Sequence, residues 1–317
     1  MVQVKILSIA GGILSSLAFI GFLFIAGLYN SDIGLFILGI VLLIAGIWID
    51  NQFKKIFLDT ISVSLYLISY LLIGLGLGQL KQNESIIYLL FILLATVCLF
   101  INKNTVISLL SVLIIHGSIL ALLLSNDAYE LLHLYIPALS IAAIYLFLNE
   151  VRFKQIGVKF SNLYAPVRSG MVLSFLSALF FLGKKGIFPI STHLNWVSSL
   201  VIIGCILYLL SRLSKQINKQ GRQFHYGYFI LVFFLLLPSI FSPAISGSLL
   251  ILLLGFMVNY KTGFVLGIIG LLYYISQYYY DLNFNLLTKS ILMMASGIML
   301  LLAYFFINKQ VLSDEKI

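Results

Sequence analysis

The chain has 317 residues, 62% of them hydrophobic and 9% charged, with 19 basic and 10 acidic side chains and a net charge of +9. A soluble domain of this length needs far more charge to cover its surface, so lipid must be the main solvent. Unbroken apolar runs such as Leu35–Ile47 and Leu249–Met257 exclude a β-barrel, whose strands alternate apolar and polar residues.

What remains is an all-α, polytopic transmembrane bundle, since helices satisfy their own backbone hydrogen bonds in lipid. Runs of about 17–25 apolar residues match the bilayer core. Twelve spans are expected. The first six are Ile6–Leu28, Ile33–Ile49, Leu58–Leu77, Ile86–Ile101, Val106–Leu124 and Leu131–Leu148. The second six are Pro166–Leu182, Leu194–Leu210, Tyr228–Phe241, Ile245–Tyr260, Gly263–Tyr280 and Ser290–Ile307. The whole is read as a single integral membrane domain, with halves 1–150 and 165–310 joined by a basic loop.

Ile6–Leu28 follows one lysine, Lys5, and lacks a small-residue cleavage site, so it reads as a retained helix. Its Ser8, Gly12 and Ser16, like Gly170, Ser174 and Ala178 and like Gly263 and Gly267, form small-residue stripes that let helices cross closely. Trp48 and Tyr278–Tyr280 fall at expected membrane interfaces. Gly74, Gly76 and Gly78 end the third span and read as close packing, not as a phosphate loop. Asn83-Glu84-Ser85 is a glycosylation sequon, idle in a bacterial membrane. Cys98 and Cys205 lie inside apolar runs and read as small buried hydrophobes.

Ionisable groups within the spans are few. Asp50, Asp59 and Glu150 fall at one set of span ends, and Asp32, Asp127, Glu130 and Asp281 at the other. This argues against an ion-coupled pump, which needs such groups inside the bilayer. His116 is the exception, mid-span with Ser108, Ser111 and Ser118 within two turns. It is either a proton relay or substrate donor, or a neutral histidine bonded across a helix interface. Glu130 and His133 are three residues apart, hence neighbours on a helix. A metal would need a second such pair. None is present, although His193 could join, so no metal or cofactor is assigned.

Two connections stand out, Asn149–Ser169 and the basic Ser211–Gly227. The latter suits either anionic headgroups or simple anchoring. Tyr228–Tyr260 is interrupted by Pro238 and Pro243, giving two short spans or a re-entrant hairpin. With the N-terminus on one side, that side carries 15 of the Lys and Arg residues and the other carries 4. Cytoplasmic loops hold the excess, so both termini are expected inside and the basic residues report topology rather than nucleic acid.

Tyr273–Phe306, YYISQYYYDLNFNLLTKSILMMASGIMLLLAYFF, is the most distinctive text in the chain. It resembles the uncharacterised bacterial membrane-protein family catalogued as domain of unknown function 4401. The resemblance implies a bacterial inner (plasma) membrane location and supplies no activity. It also implies work beside other envelope membrane proteins. The tyrosines, Lys289 and Ser290 carry the match, and Lys289 is within reach of Asp281 if the loop folds back.

No Walker motif, zinc-protease helix, nucleophile elbow or CxxC is present. The function expected is therefore a non-enzymatic subunit or scaffold of an envelope complex, with membrane lipids and other membrane proteins as partners. The first alternative is a transporter of a neutral or lipid-like solute. However, Asn51–Lys55 stands where the major facilitators carry their acidic-basic motif. The second alternative is a membrane-embedded enzyme acting on lipid-linked substrates. Weak binding candidates are His116, Glu130, His133, Asp281, Lys289 and Ser290.

Overall fold

The computed structural model describes residues 31–53, 56–184, 192–217, 236–282 and 285–291, with a few single positions elsewhere. These are helical. The elements are α1 (Asp32–Gln52), α2 (Ile56–Gln79), α3 (Glu84–Ile101), α4 (Thr105–Ser125), α5 (Leu132–Leu148), α6 (Glu150–Gln155), α7 (Val158–Gly183), α8 (Asn195–Ile217), α9 (Pro243–Met257) and α10 (Lys261–Asp281). Short 3-10 turns at Tyr129–Leu131, Thr192–Leu194 and Leu237–Phe241 lead into α5, α8 and α9.

Among the described residues, seven helices are long and apolar enough to cross a membrane: α1 to α5, α7 and α8. Helix α9 is apolar but has only 15 residues, about 22 Å at helical rise. Helix α10 has 21 residues, but its tyrosine-rich end lowers its hydropathy. Of the twelve expected spans, Ile6–Leu28 lies almost wholly outside the described residues, as does Tyr228–Phe241 up to residue 235, and Ser290–Ile307 is described only in part. The first small-residue stripe (Ser8, Gly12, Ser16) also lies outside them.

Two expected connections are corrected. Asn149–Ser169 is not a loop: α6 and the first turns of α7 occupy it, and Pro166 stands inside α7 instead of opening it. Proline removes one backbone donor and usually marks a helix start. Here the amphipathic segment before it extends the helix, with Leu163 and Tyr164 buried while Lys159 and Asn162 are exposed. Likewise α8 runs past Leu210 to Ile217, so the basic connection begins later than its composition suggests.

The chain divides into two compact units. One holds residues 1–132 and 145–175, the other 133–144 and 176–317. In the first, α1 packs on α2 and α3 on α4. Leu43, Val63, Tyr66, Tyr70, Ile73, Ala95, Cys98 and Ile107 form one core cluster. Close approach rests on glycine. A Cβ at Gly39 would lie 2.8 Å from the Ile73 side chain, and one at Gly170 would lie 2.7 Å from Val112. Helix α3 leaves Ile86, Leu89, Leu93, Val97 and Phe100 exposed along one side, as a lipid-facing helix does.

In the second unit, α8, α9 and α10 pack together. Helices α9 and α10 form a hairpin turned by Val258–Tyr260, where Asn259 takes a left-handed conformation at φ 52°. Gly255 and Gly267 bring the two backbones together. The start of α9 sits beside the end of α7: a Cβ on Gly183 would meet Ala244 Cβ at 3.3 Å. The Pro238–Pro243 break therefore stands at the level where the long helix α7 ends.

Candidate functional site

The second unit carries a cavity of about 450 Å³. Four chain segments line it: the end of α7 (Leu182, Gly183), the start of α8 (His193, Asn195, Trp196), the Pro-Ser turn (Ile240 to Ala244) and the last turns of α10. From α10 come Tyr274, Gln277, Tyr278 and Asp281. Those positions run i, i+3, i+4, i+7, which puts all four on one helix face.

Tyr274 anchors the wall. Its ring is buried, and its hydroxyl donates to the Leu176 carbonyl at 2.6 Å. Tyr273 stacks on Phe180 at 6.0 Å beside it. The Gln277 Oε1 atom is buried without a hydrogen-bond partner among the described residues. Such an acceptor is costly unless a ligand or water supplies a donor. Trp196 is 53% exposed, so an indole face remains open beside the cavity. Carboxylate, imidazole, amides and aromatic faces thus meet in one recess. That set suits an uncharged polar molecule, or a polypeptide segment with an aromatic or aliphatic anchor. Among the described residues no hydrogen bond joins His193 to Asp281, so the recess holds no assembled acid–base pair.

The other candidates are dispersed. The Lys289 ammonium lies over the Tyr279 ring at 5.0 Å, and Ser290 Oγ donates to the Leu287 carbonyl at 2.9 Å. Asp281 instead lines the cavity. Glu130 is exposed on the 3-10 turn while His133 is buried, 3.1 Å through Nδ1 from Ser198 Oγ on α8. The 3-10 turn separates the two, and among the described residues no group of His, Cys, Asp and Glu gathers to hold a metal. His116 is half-buried on α4. Next to it Gly117 and Ser118 join Tyr70, Tyr88 and Phe91 around a shallower recess of about 260 Å³.

Several polar clusters escape a reading of spacing alone. Tyr66, fully buried on α2, bonds through its hydroxyl to Ser111 Oγ at 2.8 Å and to the Tyr70 hydroxyl at 3.3 Å. Asp50 is buried rather than a solvated helix end, and accepts from Asn104 Nδ2 at 2.8 Å. The same Asn104 caps α4 by accepting from the Val106 amide. Glu150 pairs with Lys154 and with Arg168, and the Arg168 guanidinium covers the Tyr164 ring at 5.1 Å. Burial works against the Glu150 charge, but the Lys154 and Arg168 cations outweigh it and hold this carboxyl below its ordinary value. The α10 face leaves a trace in the sequence, a period-3.6 run of polar and aromatic residues within the tyrosine-rich text that is read in sequence only as an interfacial belt.

Helices of this length and hydropathy, with their polar chemistry gathered mainly at helix ends, define a multi-pass α-helical membrane protein. The chain belongs to the family described as domain of unknown function DUF4401, whose profile matches residues 2–310. No curated protein and no solved structure matches it.

Proposed function

We propose that this protein is a non-enzymatic component of the bacterial inner membrane, serving as a subunit or scaffold of an envelope complex. It crosses the membrane about twelve times with both termini in the cytoplasm, as the uneven distribution of Lys and Arg supports. The proline break beside the end of α7 supports two short spans over a re-entrant hairpin in this part of the chain. The cavity of the second unit then opens outward.

One observation carries the reading. Several of the polar side chains buried among the helices bond to each other or to their own backbone: Tyr66 with Ser111, His133 with Ser198, and Ser62 with the Leu58 carbonyl. An open recess of about 450 Å³ lies at a helix-end level instead, lined by Trp196, Gln277, Tyr278 and Asp281. Chemistry placed at the rim of a bundle suits recognition of a partner outside the bilayer better than passage through it.

The test is purification of the C-terminally tagged full chain from native membranes, with mass spectrometry of what accompanies it in fixed ratio. A stoichiometric membrane protein is expected, lost from a Trp196→Ala/Tyr278→Ala variant that still folds. A lone protein carrying a bound solute would overturn the reading. The recess beside His116 supports transport as the second reading. Under the leading reading, His116→Ala leaves complex formation unchanged.

A further inference from the structure

In the first unit a separate cavity of about 390 Å³ lies between the α3–α4 turn and the start of α7. Two lysines line it, Lys103 and Lys159, together with Asn102, Thr105 and Asn162, and no acidic residue does. Both α4 and α7 begin here, at Thr105 and Val158, so the positive dipole ends of two long helices lie beside this region.

Helix ends and lysines alone would be unremarkable. Asn102 adds an independent observation. It is 4% exposed, and its Oδ1 accepts from the Lys103 amide at 3.0 Å, which fixes the orientation of the side-chain amide. Its Nδ2 is left buried with no hydrogen-bond partner among the described residues. A buried donor in a basic cavity calls for an acceptor that those residues do not supply. The Asp50 carboxylate, whose Oδ1 accepts from Asn104 and whose Oδ2 has no hydrogen-bond partner among the described residues, does not line the cavity.

We propose that this cavity binds a phosphate group, with Asn102 Nδ2, Lys103 and Lys159 as its donors. Phosphate supplies several acceptor oxygens and the negative charge that two lysines and two helix N-termini favour. Two sources share this chemistry, the headgroup of an anionic phospholipid and a soluble phosphate. The apolar wall of Ile101, Val158 and Leu163 offers a lipid a place for the first part of its acyl chain.

The full-length protein in detergent is tested by native mass spectrometry against phosphatidylglycerol and phosphatidylethanolamine. Thermal shift is measured in parallel with inorganic phosphate and with glycerol phosphate. Preferential retention of phosphatidylglycerol identifies a headgroup site, and stabilisation by the soluble phosphates alone identifies a soluble ligand. The Lys103→Gln/Lys159→Gln variant should bind about tenfold more weakly, from roughly 1 kcal/mol for each lysine lost, partly compensated by what remains. Asn102→Asp keeps the bond to the Lys103 amide and replaces the donor with a charge that repels phosphate, so binding should be lost while the ligand-free melting temperature holds. Lys261→Gln, on the exposed start of α10, serves as control. The proposal is overturned if wild type shows neither anionic-lipid preference nor phosphate stabilisation, or if the Asn102 and lysine variants bind like wild type. The wild-type measurements decide even if a variant fails to fold.

Discussion

Gly267→Ala and Gly204→Ala are the same chemical change in the same unit, and they should shift stability in opposite directions. At Gly267 an added Cβ would stand 2.6 Å from the Leu252 amide nitrogen and 2.7 Å from its Cα, where ordinary contact begins at 3.4 Å. These are backbone atoms, so no rotamer change relieves the clash. Helices α9 and α10 must separate by roughly 0.8 Å. Overpacking of this kind costs about 1–3 kcal/mol, against up to ~1 kcal/mol gained by replacing glycine within a helix. The expected net loss is about 1–2 kcal/mol. At Gly204, inside α8, nothing lies within 4 Å of the added Cβ. Only the propensity gain remains, so the variant should match or exceed wild type by up to ~1 kcal/mol. Thermal unfolding of the full chain in detergent reads both, with buried Cys98 and half-buried Cys205 as thiol reporters. A melting temperature lower by a few degrees is expected for Gly267→Ala and an unchanged or higher one for Gly204→Ala. Equal shifts, or a stable Gly267→Ala, would refute the close α9–α10 crossing.

Tyr66→Phe removes the hydroxyl that meets Ser111 at 2.8 Å and should cost about 1–2 kcal/mol. Combined with Ser111→Ala it should cost less than the sum, because the second change removes a hydroxyl that has already lost its Tyr66 partner and keeps only its bond to the Ile107 carbonyl; strict additivity in a double-mutant cycle would deny the Tyr66–Ser111 bond. Because the Glu150 carboxyl is held below its ordinary value of 4.5, its contribution is complete above that pH and is lost as the pH falls through the lowered value. A pH series of melting temperatures should therefore show a steeper acid-side fall in wild type than in Glu150→Gln, and parallel curves would count against it. Single cysteines at positions 159 and 193 should be labelled by impermeant reagents from opposite sides of the membrane, the first from the cytoplasm. Labelling from the same side would break the topology.

The solvent, the helical class and most helix positions could be read from the chain directly. Lipid permits few charges and requires continuous apolar runs, so composition and run length report them without knowledge of packing. The last helices illustrate the limit. The run Tyr278–Tyr280 reads as an interfacial belt, but its spacing does not reveal that Tyr274, Gln277, Tyr278 and Asp281 meet Trp196 from a distant helix. Pro166 reads as a helix start, yet it stands inside α7.

Sequence determined where the protein resides, because hydropathy is a local property summed along the chain. The tertiary structure decided which polar groups serve packing and which remain available. Asp50 and His133 look alike as isolated ionisable residues near span ends, but Asp50 Oδ1 and His133 Nδ1 each meet a partner far away in sequence, Asn104 and Ser198. Asn102 and Gln277 look like ordinary polar residues, and burial leaves a polar atom of each unsatisfied at the edge of a cavity. Hydrogen bonding across helices depends on crossing geometry, which in lipid is set by where glycines such as Gly39, Gly170 and Gly267 allow backbones to touch.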